Sequence, residues 1–80
     1  MSKVEELKLD KEILRAHDEG DSYKLAELYS EAARIKKHAG EMNAAGFLRT
    51  QAFVFALESA HPLEGELRKA LVVDGRELSE

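Results

Sequence analysis

Gly20, Gly40 and the pair His61-Pro62 interrupt the chain at intervals of about twenty residues. That spacing constrains the fold more than any other feature, because it is the spacing of helix stop signals and is too wide for the turns between strands. The residues between the stops agree. Ala, Glu, Leu and Lys, which lose little on entering a helix, dominate, while β-branched residues that favour strands are few. The expected class is all-α, with three to four antiparallel helices forming either a helical-hairpin array or a small up-down bundle.

Eighty residues, of which 44% are hydrophobic, make one small folded domain. Such a chain buries only ~60% of the surface it would expose unfolded, so the core is thin. Cysteine is absent, which excludes disulfide staples, thiolate nucleophiles and the usual structural zinc sites. A net charge of -4 argues against a nucleic-acid footprint, which shows as a basic excess. The opening "MSKVEELKLDKE" has no apolar h-region, so no export signal is read and a cytoplasmic location is expected. The one long apolar run contains Arg49 and Gln51 and is too short and too polar to span a bilayer.

The sequence divides into helices at about 10–19, 21–38, 42–60 and 62–73, a single domain over 10–76 with a polar tail at 77–80. Ser2 with Glu5 has the form of a capping box. Asp10 as N-cap, with Leu9 and Leu14 as a hydrophobic staple, gives a firmer start, so residues 1–9 are expected to fray. The second helix opens on Asp21 and reads as one-faced, with Leu25, Leu28, Tyr29, Ala32, Ile35 and Ala39 at three- and four-residue steps. The fourth starts at Pro62, suited to a first helical position, and carries Leu63, Leu67, Ala70 and Leu71 as its stripe.

The third helix differs. Its core, "AAGFLRTQAFVFAL", holds all three phenylalanines. At 100° per residue, Ala44, Ala45, Leu48, Ala52, Phe55 and Ala56 fall on one side and Phe47, Phe53, Val54 and Leu57 on another. Arg49 marks one border, Gln51 and Glu58 the other. The alanine side admits close approach of a neighbouring helix, most simply the second; the phenylalanine side needs a bulkier partner. Gly46, at its edge, costs about 1 kcal/mol against alanine in mid-helix and hints at close backbone contact.

The segment "GDSYKLAELYSEAARI", residues 20–35, resembles the second helix of a tetratricopeptide repeat through Gly20, Asp21, Tyr29 and Ala32. "AGEMNAAGFLRTQA" is a poorer match through Gly40, Ala45 and Ala52, with Arg49 where that family has an aromatic. The glycines stand twenty residues apart against the family's 34-residue period, so they do not mark equivalent turns. The resemblance implies tandem antiparallel hairpins that bind protein segments in a groove. It assigns no peptide-gripping residues here.

Candidate chemistry is sparse. His17, His38 and His61 each fall near a helix end, where the macrodipole favours a partly protonated imidazole, and an up-down arrangement puts His38 at the opposite pole from the other two. Glu58 and His61 have the Glu-x-x-His spacing of di-iron bundles, which need two such pairs, so only a dimer could complete the site. No serine or threonine sits at helical contact spacing from a histidine with an acidic orienter, which removes nucleophilic catalysis. "ARIKKHAG" gathers Arg34, Lys36, Lys37 and His38; it reads as dipole-favoured solubility or as an anionic-peptide docking patch.

The expected function is therefore a non-enzymatic protein–protein interaction module, a small adaptor or regulator without a cofactor. Its partner is a protein or peptide, with a second copy as one option, and not nucleic acid or membrane. Phe47, Phe53, Val54 and Leu57 are the expected contact residues, with Lys36 and Arg49 at the rim. The alternative is a small metal-binding protein using Glu58 and His61 across a dimer.

Overall fold

The computed structural model describes the backbone of residues 3–73 and the side chains of residues 6–72. Four helices make up the described chain: α1 (Lys3–Glu19), α2 (Ser22–His38), α3 (Met42–Ser59) and α4 (Glu64–Val73). The class is all-α, and no strand occurs among the described residues.

Each of the first three helices ends the same way. Gly20, at φ 65°, lets its own N–H reach the His17 carbonyl and the Asp21 N–H reach Ala16. Gly40, at φ 80°, repeats the pattern onto Lys37 and Lys36. At the end of α3 the left-handed position falls to Ala60, φ 54°, with the His61 N–H on the Ala56 carbonyl at 2.9 Å. These paired bonds satisfy the orphan carbonyls of a helix terminus and reverse the chain. Asp21 Oδ1 accepts from the Lys24 N–H at 3.0 Å, capping α2 as its position in the sequence predicts.

Two boundaries differ from expectation. Helix α1 begins at Lys3 rather than near residue 10. Leu9, Ile13 and Ala16 form one stripe that packs on α2, and Glu6 one turn earlier reaches Lys36, so contacts with α2 favour helix well before Asp10. The proposed staple fails for the same reason: Leu9 is buried while Leu14 points to solvent. Helix α4 starts at Glu64 because His61, Pro62 and Leu63 form a turn, in which His61 Nδ1 accepts from the Leu63 N–H at 2.9 Å.

Among the described residues, close backbone packing joins sequence neighbours: α1 to α2, α2 to α3, α3 to α4, with α2–α3 the most extensive seam. The Cα trace measures 38 × 29 × 15 Å. The α2–α3 seam is built from Ala26 and Ala33 on one side and Ala45, Ala52 and Ala56 on the other, all buried, so the axes approach closely. This corrects the one-faced reading of α2. It buries Leu25, Leu28 and Ile35 in a cluster with α1, joined by Ala32, and turns Ala26 to α3, while Ala39 of the expected stripe is exposed.

Two small apolar clusters result. One gathers Leu9, Ala16, Leu25, Leu28 and Ile35; the other gathers Ala26, Ala52, Phe53, Ala56, Leu67 and Leu71. Tyr29 and Phe55 pack against both, their rings stacked at 5.6 Å, and His17 of α1 meets each edge-on. The His17 Nε2 and the Tyr29 hydroxyl lie 2.9 Å apart, which ties the end of α1 to the middle of α2.

Candidate functional site: the outward strip of α3

A helix packed between two neighbours has flanks covered by them and can keep a face open. The flanks of α3 take the alanines and Phe53. One open face takes Phe47, Val54 and Leu57, which remain 61%, 42% and 50% exposed. Phe47 and Val54 are two turns apart and Leu57 follows Val54 by three residues, so the three side chains form one strip along the helix. Thr50 lies between them with its hydroxyl donating to the Gly46 carbonyl at 3.0 Å, which removes that polar group from the strip's surface. Glu58, at the strip's edge, accepts from the Ser22 hydroxyl at 3.1 Å. By their exposed fractions and usual side-chain areas, the three residues present on the order of 300 Å² of apolar surface.

The six residues expected to form one contact site separate. Phe53 is 8% exposed and belongs to the core: Leu67 and Leu71 of α4 pack on it and the Arg68 guanidinium lies over its ring at 5.0 Å. It is no surface contact, which corrects the sequence reading. The wheel placed Phe53 with Phe47 and Val54, but about 100° separates Phe53 from Val54, enough for α4 to claim one and leave the other. Arg49, about 160° around the helix from Phe47, turns away from the strip into a cleft between α2 and α4.

Lys36 lies on the far side of α2. It reaches Glu6 at 3.5 Å and Glu41 at 3.8 Å and borders a groove of about 270 Å³ between α1 and α2, walled by Leu9, Ile13, Tyr29 and Ile35 and reached by Leu48. Sequence reasoning gave no hint of this groove, since Leu9 and Ile13 show their shared stripe only once α1 is extended to Lys3.

Glu58 and His61 are each engaged within the chain. His61 is buried against the Tyr23 ring, centroids 4.1 Å apart. Its Nδ1 accepts the Leu63 N–H, which places the ring proton on Nε2, and Nε2 donates to Glu27 Oε2 at 3.2 Å. The ring thus fixes the α3–α4 elbow against α2. Among the described residues no three histidine or acidic side chains converge as a metal site would require. No helix of the described chain is long and apolar enough to cross a membrane.

Compared with known proteins, the chain matches no family model, and the curated proteins and solved structures give no match.

Proposed function

We propose that this chain is a non-enzymatic interaction module, an array of helical hairpins of the tetratricopeptide kind, that binds a protein helix through the outward strip of α3. One observation carries the reading: three large apolar side chains lie open along the middle of the chain's most apolar helix, on a face that neither α2 nor α4 occupies. Desolvating them is the largest apolar gain the surface of α3 offers.

A second copy is the first candidate partner. Two strips related by a twofold axis, with antiparallel α3 helices, set Phe47 of each copy against Leu57 of the other and Val54 near the axis. Stable interfaces bury about 800 Å² per partner, so a strip of this size suits a weak, reversible association. Sedimentation equilibrium over a hundredfold dilution tests it. The expected result is a monomer–dimer equilibrium in the range of roughly 10–1,000 μM, abolished by Phe47→Glu with the helical circular dichroism unchanged. A monomer at every concentration removes self-association, and the same variant then serves as the control in a search for a different partner helix.

A further inference from the structure

A second surface lies on the other side of α3. Between α2 and α4 runs a cleft of about 250 Å³ whose apolar side is Leu63 of the preceding turn with Leu67 and Ala70 of α4. Arg34 and Lys37, one turn apart on α2, and Arg49 of α3 contribute three cationic groups to it. Glu66 is the one carboxylate that lines it, so the cleft is positive on a chain whose net charge is -4. Lys37 makes no ion pair among the described residues. Arg34 holds Glu31 on its own helix through one Nη, and a guanidinium with five N–H donors retains others for a ligand. Cations beside low-dielectric walls focus the potential, so the cleft attracts anions more strongly than its net charge suggests.

We propose that this cleft docks an acidic segment of a partner protein, one apolar side chain resting on Leu63, Leu67 and Ala70 while flanking carboxylates meet Lys37 and Arg34. The apolar wall favours a peptide over a phosphate backbone, which would leave that wall uncovered, and the chain's net negative charge opposes nucleic acid beyond the cleft. Arg49 lies about 160° around α3 from Phe47 and about 140° from Val54, so the cleft and the Phe47 end of the strip face different sides of the helix. The proposal is independent of the strip's function.

The test is fluorescence anisotropy with a labelled peptide of about nine residues, one leucine flanked by glutamates on both sides, titrated with the full chain. Three controls accompany it: the lysine counterpart, a version with serine in place of leucine, and a single-stranded DNA of about twelve nucleotides. Expected is binding of the acidic peptide in the range of about 10–300 μM, weakening as salt rises from about 50 to 200 mM. Lys37→Glu, at an exposed position that leaves the fold intact, weakens it about tenfold, whereas Phe47→Glu leaves it unchanged. Failure to bind at about 1 mM overturns the proposal, as does equal binding of the lysine or serine peptide, or an unchanged affinity in Lys37→Glu. DNA binding tighter than peptide binding overturns it in favour of a phosphate site.

Discussion

The two sides of α3 carry similar residues and meet opposite surroundings. Phe53 lies under Leu67 and Leu71, buried, whereas Phe47 less than two turns away stands in solvent. Neither hydrophobicity nor size separates them; where α4 crosses α3 does. In a two-layer bundle each helix has one apolar sector, and a helix apolar all round is central. Here α3 packs on α2 and α4 and meets His17 of α1 through Phe55, and it still keeps an uncovered face along Phe47, Val54 and Leu57.

The sharpest way to break this comparison is to truncate one phenylalanine from each side. Phe53→Ala removes a ring from a thin core and is expected to cost about 3–4 kcal/mol, most of the stability of a domain this small. Phe47→Ala is expected to change stability by less than about 0.5 kcal/mol. Urea denaturation of both variants checks the pair, and comparable losses would mean that the strip is part of the core.

Ala52→Leu probes the seam from the other direction. Ala52 has no exposed surface and faces Ala26 in a seam set by small side chains, so three added heavy atoms must push α2 and α3 apart. The expected cost is about 2–3 kcal/mol by the same denaturation, with a loss of the Ser22–Glu58 contact that spans the seam. The same substitution at Val54, on the open face, is expected to be close to neutral. A tolerant seam would undo the argument that alanine sets the α2–α3 distance.

These contrasts also mark what the sequence makes legible. The glycine stops, the Asp21 cap, Leu67 and Leu71 of the α4 stripe and the close alanine approach of α2 and α3 are local or pairwise features, and each stands in the structure as its spacing predicts, whereas Leu63 of that stripe falls in the turn before α4. The length of α1 was hidden because Leu9 reads equally as a staple residue and as a stripe residue, and only its contacts with α2 separate the two. The strip was half legible. An angular sector shows which residues share a side, but the border between Phe53 and Val54 depends on where α4 crosses, and Arg49 and Lys36 face different clefts because those clefts exist only between packed helices. The His17–Tyr29–Phe55 and Tyr23–His61–Glu27 groupings join residues from separate helices and leave no periodic signal at all.

A smaller effect distinguishes the elbows. Gly20 and Gly40 occupy left-handed positions without strain, whereas Ala60 at φ 54° sets its Cβ against the neighbouring carbonyl. Ala60→Gly relieves that crowding and adds some unfolded-state entropy, for an expected net gain of about 0.5–1 kcal/mol and a rise of about 2–8 °C in Tm. A thermal melt decides it, and a fall in Tm would show that the entropy term outweighs the strain at the α3–α4 turn.

The smallest effect belongs to the open face of α2, where Glu31 and Arg34 pair one turn apart. The hydrogen bond from Arg34 holds the Glu31 carboxyl below its ordinary value of 4.5, against an opposing desolvation and with a smaller contribution from the guanidinium's charge. A carboxyl depressed in the folded state binds fewer protons there than in the unfolded chain, so stability rises with pH through that interval. The contribution is complete above about 4.5 and is lost as pH falls through the folded-state value. Because the pair is largely solvated, screening keeps the effect small: Glu31→Gln should lower Tm by no more than about 2 °C at pH 7. The difference from the parent chain should close on acidification and shrink in about 1 M salt. A gap that persisted below the folded-state value would mean that Glu31 acts through packing of its stem rather than through its charge, and that the open face of α2 contributes to the core after all.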